Sequence, residues 1–379
     1  MARPIYLDYQ ATTPVDPQVA AAMQPYLVER FGNPHSPHRY GWEAEAAVDV
    51  ARGQIARLLN APPEAIVFTS GATEASNLAL KGVLTAPGQA RRRIVTVATE
   101  HSCVLDTAEY LRELGAELTV LGVDGDGLVR MDEAAAAITE DVAIVSVMAV
   151  NNEIGVIQPV AEIAALARRA GAVMHCDAAQ AFGKLPLDVE ALGVDLLSVS
   201  GHKIYGPKGI GALYVRPGTR LAPQMHGGGQ EGSGLRSGTL APMLCVGLGK
   251  VAEVAAAHMD ADRTQAEALW DRALAKLDVD HRINGSVSAR WHGNLNVSFP
   301  GVDGARLLAD LRGLAVSAGA ACASAKGKPS HVLAALGLPE PLAKASLRIG
   351  WGRFTTEEEI DTAMAMIGAA VRAQGDRAA

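Results

Sequence analysis

Short apolar runs recur along the first two thirds of the chain, each followed by a longer stretch of mixed apolar and polar positions. Residues 65–69 (AIVFT) read as a short buried strand, and helix formers follow from about 73 to 84. Residues 93–98 (RIVTVA) are the next strand, and 104–114 the next helix. Residues 117–122 and 142–150 read as strands, with an alanine-rich helical stretch at 131–138 between them. Pro159 opens a helix where its missing N–H costs little, and Gly171 stops that helix after about residue 170. Strands at 172–176, 196–200 and 210–215 complete the series. Strands alternating with helices of this length predict an α/β fold whose mostly parallel sheet is covered on both faces.

The texture changes after Gly238. Residues 239–277 are rich in Ala, Leu, Glu and Lys, which predicts long helices. Strands then fall at 295–299, 315–317 and 346–350, with a helix at 303–311. The last helix starts at Thr356, where Thr356 and Glu359 fit a capping box. This divides the chain into a large α/β domain, 15–250, and a smaller α+β domain, 251–379, joined by the N-terminal segment 1–14.

Composition narrows the function. The chain has 379 residues, 49% hydrophobic and 20% charged, ordinary for a folded protein and unlike a disordered one. A net charge of −7 and 4% aromatics give no reason to expect a nucleic acid partner. The apolar run 142–150 is broken by Ser146 and too short to span a bilayer, so no membrane partner is expected. The N-terminus MARPIYLDYQATTP lacks the apolar core of a signal peptide. Four cysteines, at 103, 176, 245 and 322, lie no nearer than about 70 residues apart. Neither a disulfide framework nor a clustered metal site is visible, and a reducing cytoplasm is the expected compartment.

Three strand ends carry unusual polar residues, where functional groups of open α/β sheets collect. Gly71-Ala72-Thr73-Glu74 opens a helix after AIVFTS; it is either a plain helix start or a phosphate cradle. His175-Cys176-Asp177-Ala178-Ala179-Gln180 puts a carboxylate at the end of a buried strand, where it needs a cation or strong donors. A metal on His175 and Asp177 is conceivable, but no dense ligand cluster supports it. Ser198 to Gly209 carries Lys203, either in a surface turn or as a reactive amine, 26 residues after Asp177. A lysine that can form a Schiff base, plus a carboxylate for a pyridinium nitrogen, is what pyridoxal phosphate requires. A GxGxxA-like run at 247–252 lies in a helical stretch without a preceding strand, so it is not read as a dinucleotide site.

Ten ordered motifs then resemble the cysteine desulfurases of the NifS/IscS branch, within the class V aminotransferase group of fold-type I pyridoxal phosphate enzymes. They are YLDYQATTP (6–14), FGNPHS (31–36), FTSGATEASN (68–77), TEH (99–101), VNNEIGVIQP (150–159), HCDAAQAFGK (175–184), SVSGHKIYGPKGIGALYVR (198–216), MHGGGQEGSGLRSGT (225–239), SAGAACAS (317–324) and LRIGWGRFTTEEEID (347–361). The resemblance spans nearly the whole chain and implies a seven-stranded sheet in the large domain. It makes Lys203 the cofactor-bearing lysine, which also moves protons at the substrate α-carbon. Asp177 would pair with the pyridine nitrogen, Gln180 would hydrogen-bond the phenolic oxygen, and His101, otherwise a helix cap, would stack on the ring and, as a catalytic residue, help move protons. Ala72, Thr73, Ser200 and His202 would hold the phosphate. Thr239 would reach the phosphate of a neighbouring subunit, which implies a homodimer. Asn152 and Arg348 would hold the substrate carboxylate, Asn152 also touching the cofactor, with Asn33 nearby.

Cys322 would be the nucleophile. The residues alone leave it between a small packing residue and a reactive thiol; the motif assigns it to chemistry. Lys326 and Lys328 could favour its thiolate. Cys103, Cys176 and Cys245 match no nucleophile position and read as packing residues. The implied reaction converts L-cysteine to L-alanine and leaves a persulfide on Cys322 for a sulfur acceptor, a scaffold or a sulfur carrier protein. No resident metal is expected, although Cys322 is a candidate transient ligand of an assembling iron–sulfur cluster. The loop SAGAACAS carries alanine where the family often has serine or threonine. The chain also stops soon after its last helix, where members devoted to iron–sulfur clusters commonly extend, and this leaves the acceptor open. A selenocysteine lyase, a conventional aminotransferase and a non-enzymatic relay protein are the alternatives; Lys203 argues against the last.

Overall fold

The computed structural model describes residues 3–228, 234–318 and 330–375. Twelve strands are present among them: β1 Ile5–Tyr6, β2 Ile66–Thr69, β3 Arg93–Val97, β4 Glu117–Leu121, β5 Val142–Met148, β6 Val173–Asp177, β7 Leu196–Ser200, β8 Gly211–Val215, β9 Arg282–Ile283, β10 Asn294–Ser298, β11 Leu314–Ala315 and β12 Ser346–Gly350. Seven form one sheet in the order β2-β8-β7-β6-β5-β3-β4. Only β8 runs against its neighbours; the remaining pairings are parallel.

The apolar runs explain why this sheet lies inside. Successive side chains on a strand point to opposite faces. Ile94, Ile144, Leu196 and Leu213 join one hydrophobic cluster with the helices Ala72–Leu84 and Ser102–Glu113. Their neighbours Val95, Val145, Leu197 and Ala212 join a second cluster with Arg39–Leu59, Val160–Ala170 and Pro242–Lys276. Both faces are therefore covered, as the unbroken apolar strands require.

A third cluster surrounds the antiparallel sheet β12-β10-β9, the helix Glu357–Gly375 and the end of Pro242–Lys276, and takes in Leu7 from the N-terminal segment. The expected long helices after residue 238 are one helix of 35 residues. It starts against Arg39–Leu59 and ends beside Trp351 in the third cluster. Gly249 lies in its GxGxxA-like run; a Cβ there would come within 2.4 Å of the Ala51 Cα. Close helix contact, not a dinucleotide, accounts for that glycine.

The N-terminal segment positions the site. β1 pairs in parallel with β11, and Asp8 bridges Gly350 at the end of β12. The chain then crosses to the large sheet, where Thr13 N donates to the His202 carbonyl at 2.9 Å. Gln10 and Ala11 lie between these two anchor points.

Candidate active site

A cavity of about 720 Å³ opens beyond the carboxyl ends of β2, β5, β6 and β7. Its lining includes Ala72, Thr73, His101, Asn152, Asp177, Gln180, Ser200, His202, Lys203 and Arg348. Residues from six separate stretches of sequence thus meet in one space.

The helix Ala72–Leu84 begins at the cavity. Its N-cap is Gly71, which offers no side-chain acceptor. Gly71, Ala72, Thr73 and Ser200 line the cavity at this helix N-terminus, an arrangement whose chemistry suits an anion. On the same side the His202 Nδ1 lies 3.2 Å from the Thr12 hydroxyl. Burial, and then the charges of Lys203, Lys208 and Lys184, push His202 down to about 4, so it is a neutral ring at pH 7.

Asp177 is the last residue of β6, one position further along the strand than the sequence suggests. The carboxylate is buried, and Oδ1 accepts from the Ala179 N–H at 2.9 Å. Burial raises its pKa, while Ala179, His101 and Lys203 oppose the rise. A buried carboxylate in this position calls for a cationic or strongly donating partner. Lys203 follows β7 in a short turn of helix; its Nζ donates to the carbonyls of Gln10 at 2.6 Å and Ala11 at 2.9 Å. His101 does cap the helix Ser102–Glu113, its Nδ1 accepting from the Cys103 N–H at 3.1 Å, and it also lines the cavity. The cap fixes the ring.

Arg348 reaches the cavity from β12. It is buried; Nη2 donates to Asp8 Oδ1 at 2.7 Å and Nη1 to the Asn152 carbonyl at 3.1 Å. Its Nε has no partner among the described residues. Two other expected residues lie elsewhere. Asn33 is exposed in its own loop, accepting from the His35 N–H, and does not line the cavity. Thr239 is likewise exposed and outside the lining. Cys322, Lys326 and Lys328 lie outside the described residues.

The conceivable metal pair dissolves. His175 and Asp177 do share a face of β6, but His175 sits between two serines, Nδ1 2.8 Å from Ser146 Oγ and Nε2 2.9 Å from Ser198 Oγ. Burial pushes it down to about 3. Among the described residues no group of His, Cys, Asp and Glu assembles that could hold a metal ion. Cys176 and Cys245 are buried. Cys103, expected only to pack, also lines the cavity, but burial raises its thiol well above the usual range, so it is not a ready thiolate.

Some residues at the site were not singled out from sequence. Glu100 is fully buried, with Oε1 accepting from the Met148 N–H and Oε2 without a partner among the described residues. Burial, and then the neighbouring Asp177, push its pKa well above the ordinary carboxylate value, against the Met148 N–H, which lowers it. His331 lines the cavity with Nε2 2.9 Å from the Glu100 carbonyl. Asp8 and Glu100 sit inside the motifs YLDYQATTP and TEH, which was the available sign; His331 had none.

The chain is similar to known proteins in sequence and fold. The aminotransferase class-V family model matches residues 5–362. The cysteine desulfurase IscS of Rickettsia akari (strain Hartford) is 51% identical over 370 residues, covering 96% of this chain and 90% of the relative. A solved NifS-like protein superposes with a TM-score of 0.91 at 36% identity, covering 97% of this chain and 99% of the other. A structure described as SspA in complex with cysteine superposes with a TM-score of 0.84 at 37% identity, covering 93% and 99%.

Proposed function

This chain belongs to the class-V aminotransferase family, and from that premise we propose that it is a pyridoxal-phosphate-dependent cysteine desulfurase. The single observation that carries the reading is that the Lys203 amine, the buried Asp177 carboxylate and the uncapped helix end at Gly71 all face one cavity.

The donor set fits the cofactor. The helix end, Ala72, Thr73, Ser200 and neutral His202 suit a phosphate; Asp177 suits a protonated pyridine nitrogen; Gln180 suits a phenolic oxygen; His101 covers the ring. Bound there, pyridoxal phosphate supplies an electron sink for negative charge at the substrate α-carbon. Lys203 would hold the cofactor and would move the proton at the substrate α-carbon. Arg348 and Asn152 orient the substrate carboxylate; Arg348 has a planar fork suited to it and an Nε–H without a partner among the described residues. The Cys322 thiolate attacks the sulfur of L-cysteine. One S–S bond forms, the C–S bond breaks with its electron pair going to carbon, and a proton there completes L-alanine. The persulfide on Cys322 passes to an acceptor thiol, for iron–sulfur clusters or other sulfur-containing molecules.

A homodimer fits the exposed apolar surface. Leu27, Phe31 and Trp42 are 63%, 68% and 60% exposed, which a lone subunit has no reason to maintain. In such a dimer Thr239, exposed here, reaches the partner's phosphate site. The separate third cluster supports a two-domain division near residue 250, with the long helix running through the boundary. No helix among the described residues is long and apolar enough to cross a membrane. The free thiols of Cys103, Cys176 and Cys245 support a cytoplasmic site of action.

The test is alanine and sulfide release from L-cysteine with dithiothreitol, for wild type and Cys322→Ser together. Both products are expected from wild type, and neither from a variant that still binds cofactor. Normal turnover in the variant removes Cys322 from the reaction.

A further inference from the structure

Behind Gln180 lies a second lysine that the reaction as described does not use. Lys184 does not line the main cavity; it lines a small recess next to it. Its Nζ donates to Gln180 Oε1 at 3.0 Å. The other end of the same amide, Nε2, donates to the Gln10 carbonyl at 2.9 Å. That carbonyl also receives Lys203 Nζ, at 2.6 Å. The Gln180 donor and the Lys203 amine therefore converge on one oxygen, with Lys184 on the far side of the amide.

An amide can be turned with either end toward a neighbour, and the surrounding hydrogen bonds decide which. Lysine has donors and no acceptor. With Lys184 against it, the amide must turn Oε1 backwards and Nε2 forwards, toward Lys203. Gln10 favours the same orientation only while its carbonyl is the acceptor. Once a bound group takes that donor, Lys184 alone fixes the amide. We propose that Lys184 is a positioning residue, which holds Gln180 as a hydrogen-bond donor toward the phenolic oxygen of the cofactor. This rests on the proposed reading of the site.

The surroundings agree. Lys184 makes no ion pair with a carboxylate among the described residues. Asp262, which lines the same recess, is engaged by Arg353 at 2.7 Å. The other titratable groups around it are Tyr9, Tyr205, Lys203 and His202. Burial, and then the charge of Lys203, bring Lys184 down to about 7. Charged or neutral, its nitrogen keeps a hydrogen for Gln180, so the amide orientation holds on both sides of neutrality.

The experiment titrates the visible absorbance of the bound cofactor against pH in wild type, Lys184→Met, Gln180→Leu and the double variant. A donor on the phenolic oxygen favours the deprotonated form of the chromophore. Losing it moves the midpoint upward, by about one pH unit. Lys184→Met and Gln180→Leu are each expected to show that shift, and the double variant no more than either. Lys184→Gln, which keeps a donor, is expected to restore the wild-type midpoint. Should Lys184→Met not fold, Lys184→Ser, which leaves room for water, takes its place in the cycle. An unchanged midpoint in the Lys184 variant overturns the proposal. So does a Lys184 shift that persists on the Gln180→Leu background, since Lys184 would then act by its charge alone. A wild type that takes up no pyridoxal phosphate overturns the reading of the site, and this inference with it.

Discussion

Arg348 shows how a site residue is made by its neighbours. A guanidinium this deeply buried must be paired, and Asp8 on the N-terminal segment does so at 2.7 Å. The Asn152 carbonyl takes a second donor, which ties the β12 residue to the turn after β5. The fork is thus oriented before any ligand arrives. Replacing Arg348 with Gln removes a charge-assisted contact worth about 1.5–3 kcal/mol, or roughly ten- to hundredfold in affinity. The expected result is a KM for L-cysteine raised by that factor, with the visible absorbance of bound cofactor intact. An unchanged KM removes Arg348 from substrate binding. Arg348 could be assigned from its motif, but its dependence on Asp8 could not, because 340 residues of chain separate the two.

Among the elements, the last helix is the most local. Its capping box is complete: Thr356 N donates to Glu359 Oε2 at 2.9 Å, and Glu359 N to Thr356 Oγ1 at 3.2 Å. Four neighbouring residues suffice to specify it, so it was legible in sequence. Thr356→Ala should cost about 1 kcal/mol, seen as a lower urea midpoint, while cofactor binding stays unchanged. A midpoint equal to wild type contradicts the cap. The helix Arg39–Leu59 gave no such sign. Its buried positions Gly41, Ala44, Val48, Ala51, Ile55, Ala56 and Leu59 follow helical spacing, but four of the seven are Gly or Ala and contrast weakly with the polar face. The close approach of Pro242–Lys276 at Gly249 requires the small Ala51, while Gly41 lies against the carbonyls of Asn33 and Ser36. Asp177 belongs to β6 for a similar reason: pairing with Met148 and Ser198 extends the strand by a residue that its own polarity would exclude.

For the whole molecule, the buried polar line Ser146–His175–Ser198 ties three adjacent strands together beneath the cavity, and Ser76 joins it from the helix Ala72–Leu84 at 3.3 Å. His175 is held neutral there, at about 3 against an ordinary 6.5. Between those values an unfolded chain binds a proton that the folded one refuses. Its contribution to stability is therefore complete above about pH 6.5 and is lost as pH falls toward 3. His175→Asn should flatten the acid limb of the unfolding free energy by about one proton, roughly 1.4 kcal/mol per pH unit. An identical slope in wild type and variant contradicts the buried neutral state. The alternation of apolar runs determined the α/β class and the parallel sheet, because these depend on local periodicity; the chemistry of single side chains at strand ends pointed to Thr73, Asp177, Ser200, His202 and Lys203, and the family resemblance implied the remaining cavity residues. Tertiary structure alone decided which groups share the cavity, which histidines are neutral, and that Asp8, Glu100 and Lys184 stand behind Arg348, Asp177 and Gln180. Burial and long-range pairing set those properties, and neither is written in any one stretch of chain.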